Sequence, residues 1–487
     1  MKREWINGLE PKRVFEIFDE LCQIPHGSGN EKAISDYVRD FCNHLGLETY
    51  QDDVYNLIVK KPATPGYEHC PIVVLQAHLD MVCQKKSGST HDFTHDPIDV
   101  VVDGDDIHAK DTTLGADDGT GVAFAMCVLE SKVLNHPALE VVLTVNEEAG
   151  MTGIRNLDFS RIQGRVILNL DCSDEGIVVG CAGTCVNQLS VPFSNDHYAF
   201  TEKAYCSITV QGLLGGHSGL MVASGRKNGN MVLGDILSEL AEKIPFELLS
   251  MTGGIVDNAI TRESSAIIAL DASQIGIVQD FACSKQESLR KEMPQEPGIR
   301  LGCKMVPGPS VVGCGKSGTQ NFLALLNLVP SGLLEMSSDV KGLAQLSANI
   351  GVVATEKDSM RLRIMTRARF AAGKQRMEVK VHQLCGLLNV GNEVVSNAPE
   401  WEYKPQSRLS TLIQKIFRRE YHKDLLVEIS HGGNECGSFF QHFPDADIVC
   451  SGTKITGAHT TEETVKVSTV KKEWNMLCKT LEGMKEY

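Results

Sequence analysis

Apolar residues recur along the chain in two rhythms, and their alternation predicts an α/β architecture. Ile34, Val38, Phe41 and Leu45 fall at helical spacing, and Gly46 follows where a C-terminal cap belongs. Three short apolar runs, at 72–75, 141–145 and 166–170, predict buried strands. The stretch 120–130 predicts a helix leaving a Gly-rich turn at 114–119. Further along, 207–210, 265–270 and 361–364 read as half-buried strands, and 231–244 and 375–388 read as helices. Loops containing Gly, Ser and Pro, such as 307–318, separate them. This change of texture predicts an inserted α+β domain. After Trp401 a helical pattern returns with Leu409, Leu412, Ile416 and Phe417, and the chain closes on Val470, Trp474, Leu477 and Leu481.

The polar residues that follow the three apolar runs carry the chemistry. His78 and Asp80 follow the first run, Glu147 and Glu148 the second, and Asp171 the third. Ligands of open α/β sheets bind outside the carboxyl ends of the strands. Asp117 stands in a similar place, in the turn GADDGTG before a helix. Each feature alone has an ordinary reading: a capping pair for His-x-Asp, a solvated face for Glu-Glu, turn chemistry for Asp-Asp, a helix cap for Asp171. Together at successive strand ends, these acids would repel one another unless a cation lay among them. Carboxylate and imidazole donors without thiolate favour zinc, with manganese or cobalt as alternatives. In extended backbone His78 and Asp80 share a face, so the carboxylate is placed to steady the imidazole. Adjacent Glu147 and Glu148 would point to opposite sides of an extended chain, one toward metal and one toward substrate.

Composition narrows the function classes. A chain of 487 residues predicts two or three domains. A formal net charge of -15 argues against nucleic-acid binding, which requires a surplus of Lys and Arg. Residues 1–11 hold no apolar core of signal-peptide length, and no later stretch reaches the roughly 20 residues of a membrane span. Sixteen cysteines then read as reduced thiols, and a cytoplasmic protein without membrane partners is expected.

Seven motifs together resemble one family over essentially the whole chain: QAHLDMV (76–82), GADDGTG (115–121), NEEAGMTG (146–153), LNLD (168–171), GGHSG (215–219), HGGNECG (431–437) and GAHTTEE (457–463). The chain resembles the aminoacyl-histidine dipeptidases, co-catalytic zinc peptidases related to carboxypeptidase G and aminoacylase. The resemblance implies a two-zinc exopeptidase-type catalytic domain, a mixed sheet flanked by helices, over 1–186 and 400–487. An inserted α+β lid and dimerisation domain would occupy 187–399. It further implies that His78 and Asp171 bind one zinc, that Glu148 and His459 bind the other, and that Asp117 bridges them. Asp80 would orient His78, and Glu147 would be the general base for attack by a zinc-bridging hydroxide. A cis peptide is implied between Asp117 and Asp118. His217 would help stabilise the oxyanion, in dimers often from the neighbouring subunit, and the chain is expected to form a homodimer. Asn258, Arg367, Gly433 and Glu435 would contact substrate, although Thr261 stands where a proline is usual and Asn434 departs from the usual form. The implied substrates are short peptides, Xaa-His dipeptides such as β-Ala-His in particular. Deacylation of N-acyl amino acids or carboxypeptidase action on the same scaffold is the alternative. A non-catalytic metal- or peptide-binding protein would be expected to have lost one of these groups.

Overall fold

The computed structural model describes residues 4–172, 175–309 and 313–487, so 310–312 of the expected loop at 307–318 lie outside the described residues. The chain folds as two compact units. The first comprises Met1–Cys181, Trp401–Ile429 and Asn434–Tyr487, and the second comprises Ala182–Glu400 with Ser430–Gly433.

The first unit is built on a mixed eight-stranded sheet whose centre consists of four parallel neighbours. In spatial order these are Leu139–Thr144, Val73–His78, Val166–Asn169 and Asp447–Ser451. Every residue of the first three is buried, which explains why they read as largely apolar runs. Successive residues feed opposite faces. Leu75, Ala77, Val141 and Leu143 join one core with the helices Lys12–Cys22 and Ala116–Glu130. Val74, Val142 and Ile167 join a second core with Phe159, Trp401 and Phe439. A separate four-stranded sheet pairs Ile455–Thr456, Thr464–Lys466, Asp106–Ala109 and Val100–Asp103. The hairpin loop between its first two strands carries His459.

The second unit is a nine-stranded antiparallel sheet covered by helices, among them Gly229–Ala241, Gly315–Leu328 and Ala371–Leu388. All three strands expected in this region are present, within Lys203–Gln211, Ser264–Asp271 and Ser359–Ala368. No helix among the described residues is long and apolar enough to cross a membrane.

The cap expected at Gly46 is formed. The helix Lys32–His44 ends there, Gly46 takes φ 75°, and its N–H donates to Asn43 O at 3.0 Å. No atom lies within 4 Å of a Cβ built at this position, so a substitution there probes backbone conformation alone. Gly46→Ala should cost about 1–2 kcal/mol of stability in urea denaturation; an unchanged midpoint and slope would contradict the cap.

Candidate active site

The parallel strands deliver their polar residues to one edge. His78 is the last residue of its strand, Asp80 lies just beyond it, and Asp171 lies two residues past Asn169. Glu147 and Glu148 were expected in extended chain. The structure instead places them in a turn that opens at Asn146, whose φ is 56°. Asp117 stands at the start of the helix Ala116–Glu130 with non-helical backbone, and its peptide bond to Asp118 is cis.

These elements bring one tight cluster together. His78 Nε2 lies 3.3 Å from Asp117 Oδ1 and 4.0 Å from Asp171 Oδ1. His459 Nε2 lies 3.4 Å from Asp117 Oδ2 and 2.8 Å from Glu148 Oε1. The two oxygens of Asp117 are therefore divided between two histidines. Donor atoms within 4.8 Å of one another form three sets: His78 with Asp118 and Asp171, His78 with Glu147 and Glu148, and Asp117 with Glu148 and His459.

The electrostatics of this packing are lopsided. Burial raises the pKa of Asp171, Asp118 and Glu147 well above the carboxylate range. The Asp117 charge adds to the rise at Asp171, and the Glu148 charge adds to it at Glu147. Burial acts against ionisation of Asp117 and His78 as well. Hydrogen bonds to His459 and His78 nevertheless hold Asp117 low, and those to Asp117 and Asp80 hold His78 high. Asp117 and Glu148 push His459 up to about 10. Among the described residues, two imidazoles, His78 and His459, lie directly against the carboxylates at this edge. The oxygen and nitrogen donors, their mutual reach and their excess negative charge fit divalent cations.

Buried carboxylates hold the ligand-bearing loops in place. Burial acts against ionisation of Asp80, yet the hydrogen bond and charge of His78, joined by hydrogen bonds from Ser28 and Glu147 N, bring it down to about 2. It accepts from the backbone N–H groups of Glu147 (2.9 Å) and Glu148 (3.2 Å) and from Ser28 Oγ (2.7 Å). His78 Nδ1 lies 3.0 Å from the Asp80 carbonyl and 3.4 Å from its carboxylate, which leaves Nε2 facing the cluster. Asp80 thus fixes both His78 and the Glu147–Glu148 turn, and the second of these tasks escaped sequence reasoning. Glu31 accepts from Gly29 N (2.8 Å) and Asn146 N (3.1 Å). Asp118 accepts from His78 N and Gly121 N, both at 3.2 Å. No local pattern marks the bonds that span 40 or more residues, although the segment His26–Gly27–Ser28–Gly29 holds two glycines ahead of the helical spacing at 34–45.

Of the residues expected to touch substrate, Glu435 is fully buried. It lies in the first unit and accepts hydrogen bonds from Gln76 Nε2 (2.5 Å) and Thr144 Oγ1 (2.6 Å), so it braces the central strands. Burial pushes it up to about 7. The other candidates lie in the second unit. Arg367, expected to meet substrate, is buried in Ser359–Ala368, and Gly433 and Asn258 are exposed. Ser218 N donates to the Asn258 carbonyl at 2.7 Å, joining the GGHSG loop to the Asn258 segment. Thr261 is buried and satisfied, donating to Gly351 O at 3.1 Å. His217 Nδ1 accepts from Leu220 N at 3.1 Å, so its proton sits on Nε2, which lies 3.4 Å from Arg367 Nη2. Two donors converging in this way suit an anionic group. His431, not singled out from sequence, lies beside them. Its Nε2 is 2.8 Å from Ser347 Oγ, and burial, helped by Arg367 and His217, lowers it to about 4. A Cβ at Gly219 would lie 2.9 Å from His431 O, 3.0 Å from His217 Cε1 and 3.2 Å from Arg367 Nε, so only glycine fits there.

Comparison with known proteins identifies the family. The sequence model of peptidase family M20/M25/M40 matches residues 74–483. The cytosol non-specific dipeptidase of Escherichia coli (strain K12) is 34% identical over 483 residues, 98% of each chain. The crystal structure of aminoacylhistidine dipeptidase from Vibrio alginolyticus superimposes with a TM-score of 0.82 at 34% identity, covering 98% of this chain and 97% of that one. Aminopeptidase PepT from Bacillus cereus shares the fold at a TM-score of 0.55 and 16% identity, over 98% of this chain and 99% of its own. The chain belongs to peptidase family M20/M25/M40 and is a divalent-metal peptidase, a hydrolase of peptide bonds.

Proposed function

We propose that this chain is a two-metal dipeptidase acting on Xaa-His dipeptides such as β-Ala-His. The observation that carries the two-metal reading is the division of the Asp117 oxygens between His78 and His459. Two relatives at 34% identity over nearly the full chain carry dipeptidase names, and one of those names specifies aminoacylhistidine.

In this reading His78 and Asp171 hold one ion, Glu148 and His459 hold the other, and Asp117 bridges them. Zinc suits the donor set best, with manganese or cobalt as substitutes. Bound ions of this kind supply Lewis acidity and bring the pKa of water toward neutrality. Glu147 is the proton carrier. Its backbone N–H is held by Asp80, and its half-buried carboxyl is suited to taking a proton from water and returning it to the departing amine. Asp80 positions His78 and the Glu147–Glu148 turn together. In the second unit, the converging donors of His217 and Arg367 suit the developing oxyanion and the substrate's terminal carboxylate. Asn258 and Gly433, both exposed, are assigned to substrate contact. The catalytic domain is assigned to 1–186 with 400–487, and the lid and dimerisation domain to 187–399. A homodimer and a cytoplasmic location complete the reading. None of the sixteen cysteines is joined in a disulfide, and the Escherichia coli relative is named for the cytosol.

Hydrolysis of a panel of Xaa-His dipeptides, N-acetylated amino acids and longer peptides tests the substrate. Xaa-His dipeptides should be cleaved fastest, with activity lost on chelation and restored by zinc, manganese or cobalt. Faster release from acetylated amino acids would favour a deacylase instead. Glu147→Gln should lower kcat by about 10²–10⁴ while metal content, read by elemental analysis, is unchanged. A variant that keeps both its metal and near-normal turnover shows that another group carries the proton. Arg367→Met should raise KM about 10- to 150-fold for dipeptides with a free carboxylate, the loss of one charge-assisted hydrogen bond, and far less for C-terminal amides. Equal effects on both substrates would remove Arg367 from carboxylate recognition.

A further inference from the structure

Glu463 ends the hairpin loop that carries His459, and its side chain is almost wholly buried. Its two carboxylate oxygens accept four consecutive backbone N–H groups from the Gly-rich turn that carries Asp117. Oε2 takes Leu114 (2.8 Å) and Gly115 (3.1 Å), and Oε1 takes Ala116 (2.8 Å) and Asp117 (3.3 Å). An ionised carboxylate offers about four acceptor sites, so donors and acceptors match one for one. An ordinary helix cap satisfies one or two of these donors from an adjacent residue; this one satisfies four from a loop 346 residues away.

The loop is braced at its other end. Glu463 N donates to Thr460 O at 3.1 Å, and Thr460 Oγ1 donates to Gly457 O at 2.7 Å. His459 therefore sits on a short closed loop whose anchor is also the anchor of Asp117. The His459–Asp117 separation of 3.4 Å is set between two segments that Glu463 ties together. The neighbouring Glu462 faces away, 75% exposed in its side chain and 3.1 Å from Lys86 Nζ.

We propose that Glu463 is a positioning residue of the metal site, coupling the loop that carries His459 to the turn that carries Asp117. The proposal rests on the two-metal reading given above. Glu463→Gln is nearly isosteric, yet it turns an acceptor toward two N–H groups into a donor, so it removes the coupling without removing bulk.

Metal-stripped wild type, E463Q and E462Q are titrated with Co²⁺ and followed by visible absorption, with kcat and KM measured on one dipeptide. E463Q should bind Co²⁺ at least about tenfold more weakly and with an altered absorption band. Its kcat should fall by a larger factor than its KM changes, and E462Q should match wild type. E463Q with wild-type affinity and band shape overturns the proposal. Wild type that takes up no Co²⁺ contradicts the two-metal reading itself, a result distinct from E463Q matching wild type. If E463Q does not fold, hydrogen exchange of metal-stripped wild type decides. The amides of 114–117 should be as protected as those of Val73–His78, and rapid exchange at 114–117 overturns the proposal.

Discussion

Crowded negative charge is the constraint on which the first unit is organised. Asp80, Asp117, Asp118, Glu147, Glu148 and Asp171 converge at one edge of the sheet, with His78 and His459 as the basic groups directly against them. Carboxylates this close cannot all ionise in a buried setting without a compensating cation. The protein meets the demand in two ways. Some acids spend their lone pairs on backbone N–H groups, as Asp80, Asp118 and Glu463 do. Others, namely Asp117, Glu148 and Asp171, are left facing imidazoles and one another in an arrangement that fits divalent ions.

The architecture explains why this arrangement stays in place. Four parallel strands put their carboxyl ends side by side, and cores on both faces fix the register of the strands. Loops leaving that edge then need only short-range anchors. Asp80 joins the His78 strand to the Glu147–Glu148 turn, Glu31 joins the Gly29 loop to Asn146, and Glu463 joins the His459 loop to the Asp117 turn. Each anchor is a carboxyl group that accepts from backbone donors, and such a bond is roughly twice as strong as its neutral counterpart when the acceptor is ionised. A site built in this way is preorganised by its supports as much as by its ligands.

Much of the fold was legible because burial leaves a periodic trace. The three central strands appear as apolar runs, and the helices at 32–44, 408–421 and 467–482 appear as spaced apolar residues. The helix Lys12–Cys22 is as amphipathic as these, yet it starts at a proline with no side-chain cap to announce it. Of the residues expected to hold metal, His78, Glu148 and Asp171 were legible at strand ends and Asp117 in a Gly-rich turn, whereas His459 was reached only through the family resemblance. Their supports were not legible, because bonds such as Glu463 to 114–117 join distant segments and leave no local signature. The extended reading of Glu147–Glu148 failed because Asn146 adopts φ 56° and turns the chain. Glu435, expected beside substrate, is withdrawn beneath the sheet edge, where Gln76 and Thr144 satisfy one of its oxygens.

The central claim is that one carboxylate, Asp117, is shared between two metal ions held by different halves of the site. Anomalous diffraction from crystals of the zinc-loaded protein, collected on both sides of the zinc edge, tests this directly. Two zinc peaks per chain, one beside His78 and Asp171 and one beside His459 and Glu148, with the Asp117 carboxylate between them, are predicted. A single peak, or two peaks of which only one touches Asp117, would contradict the account.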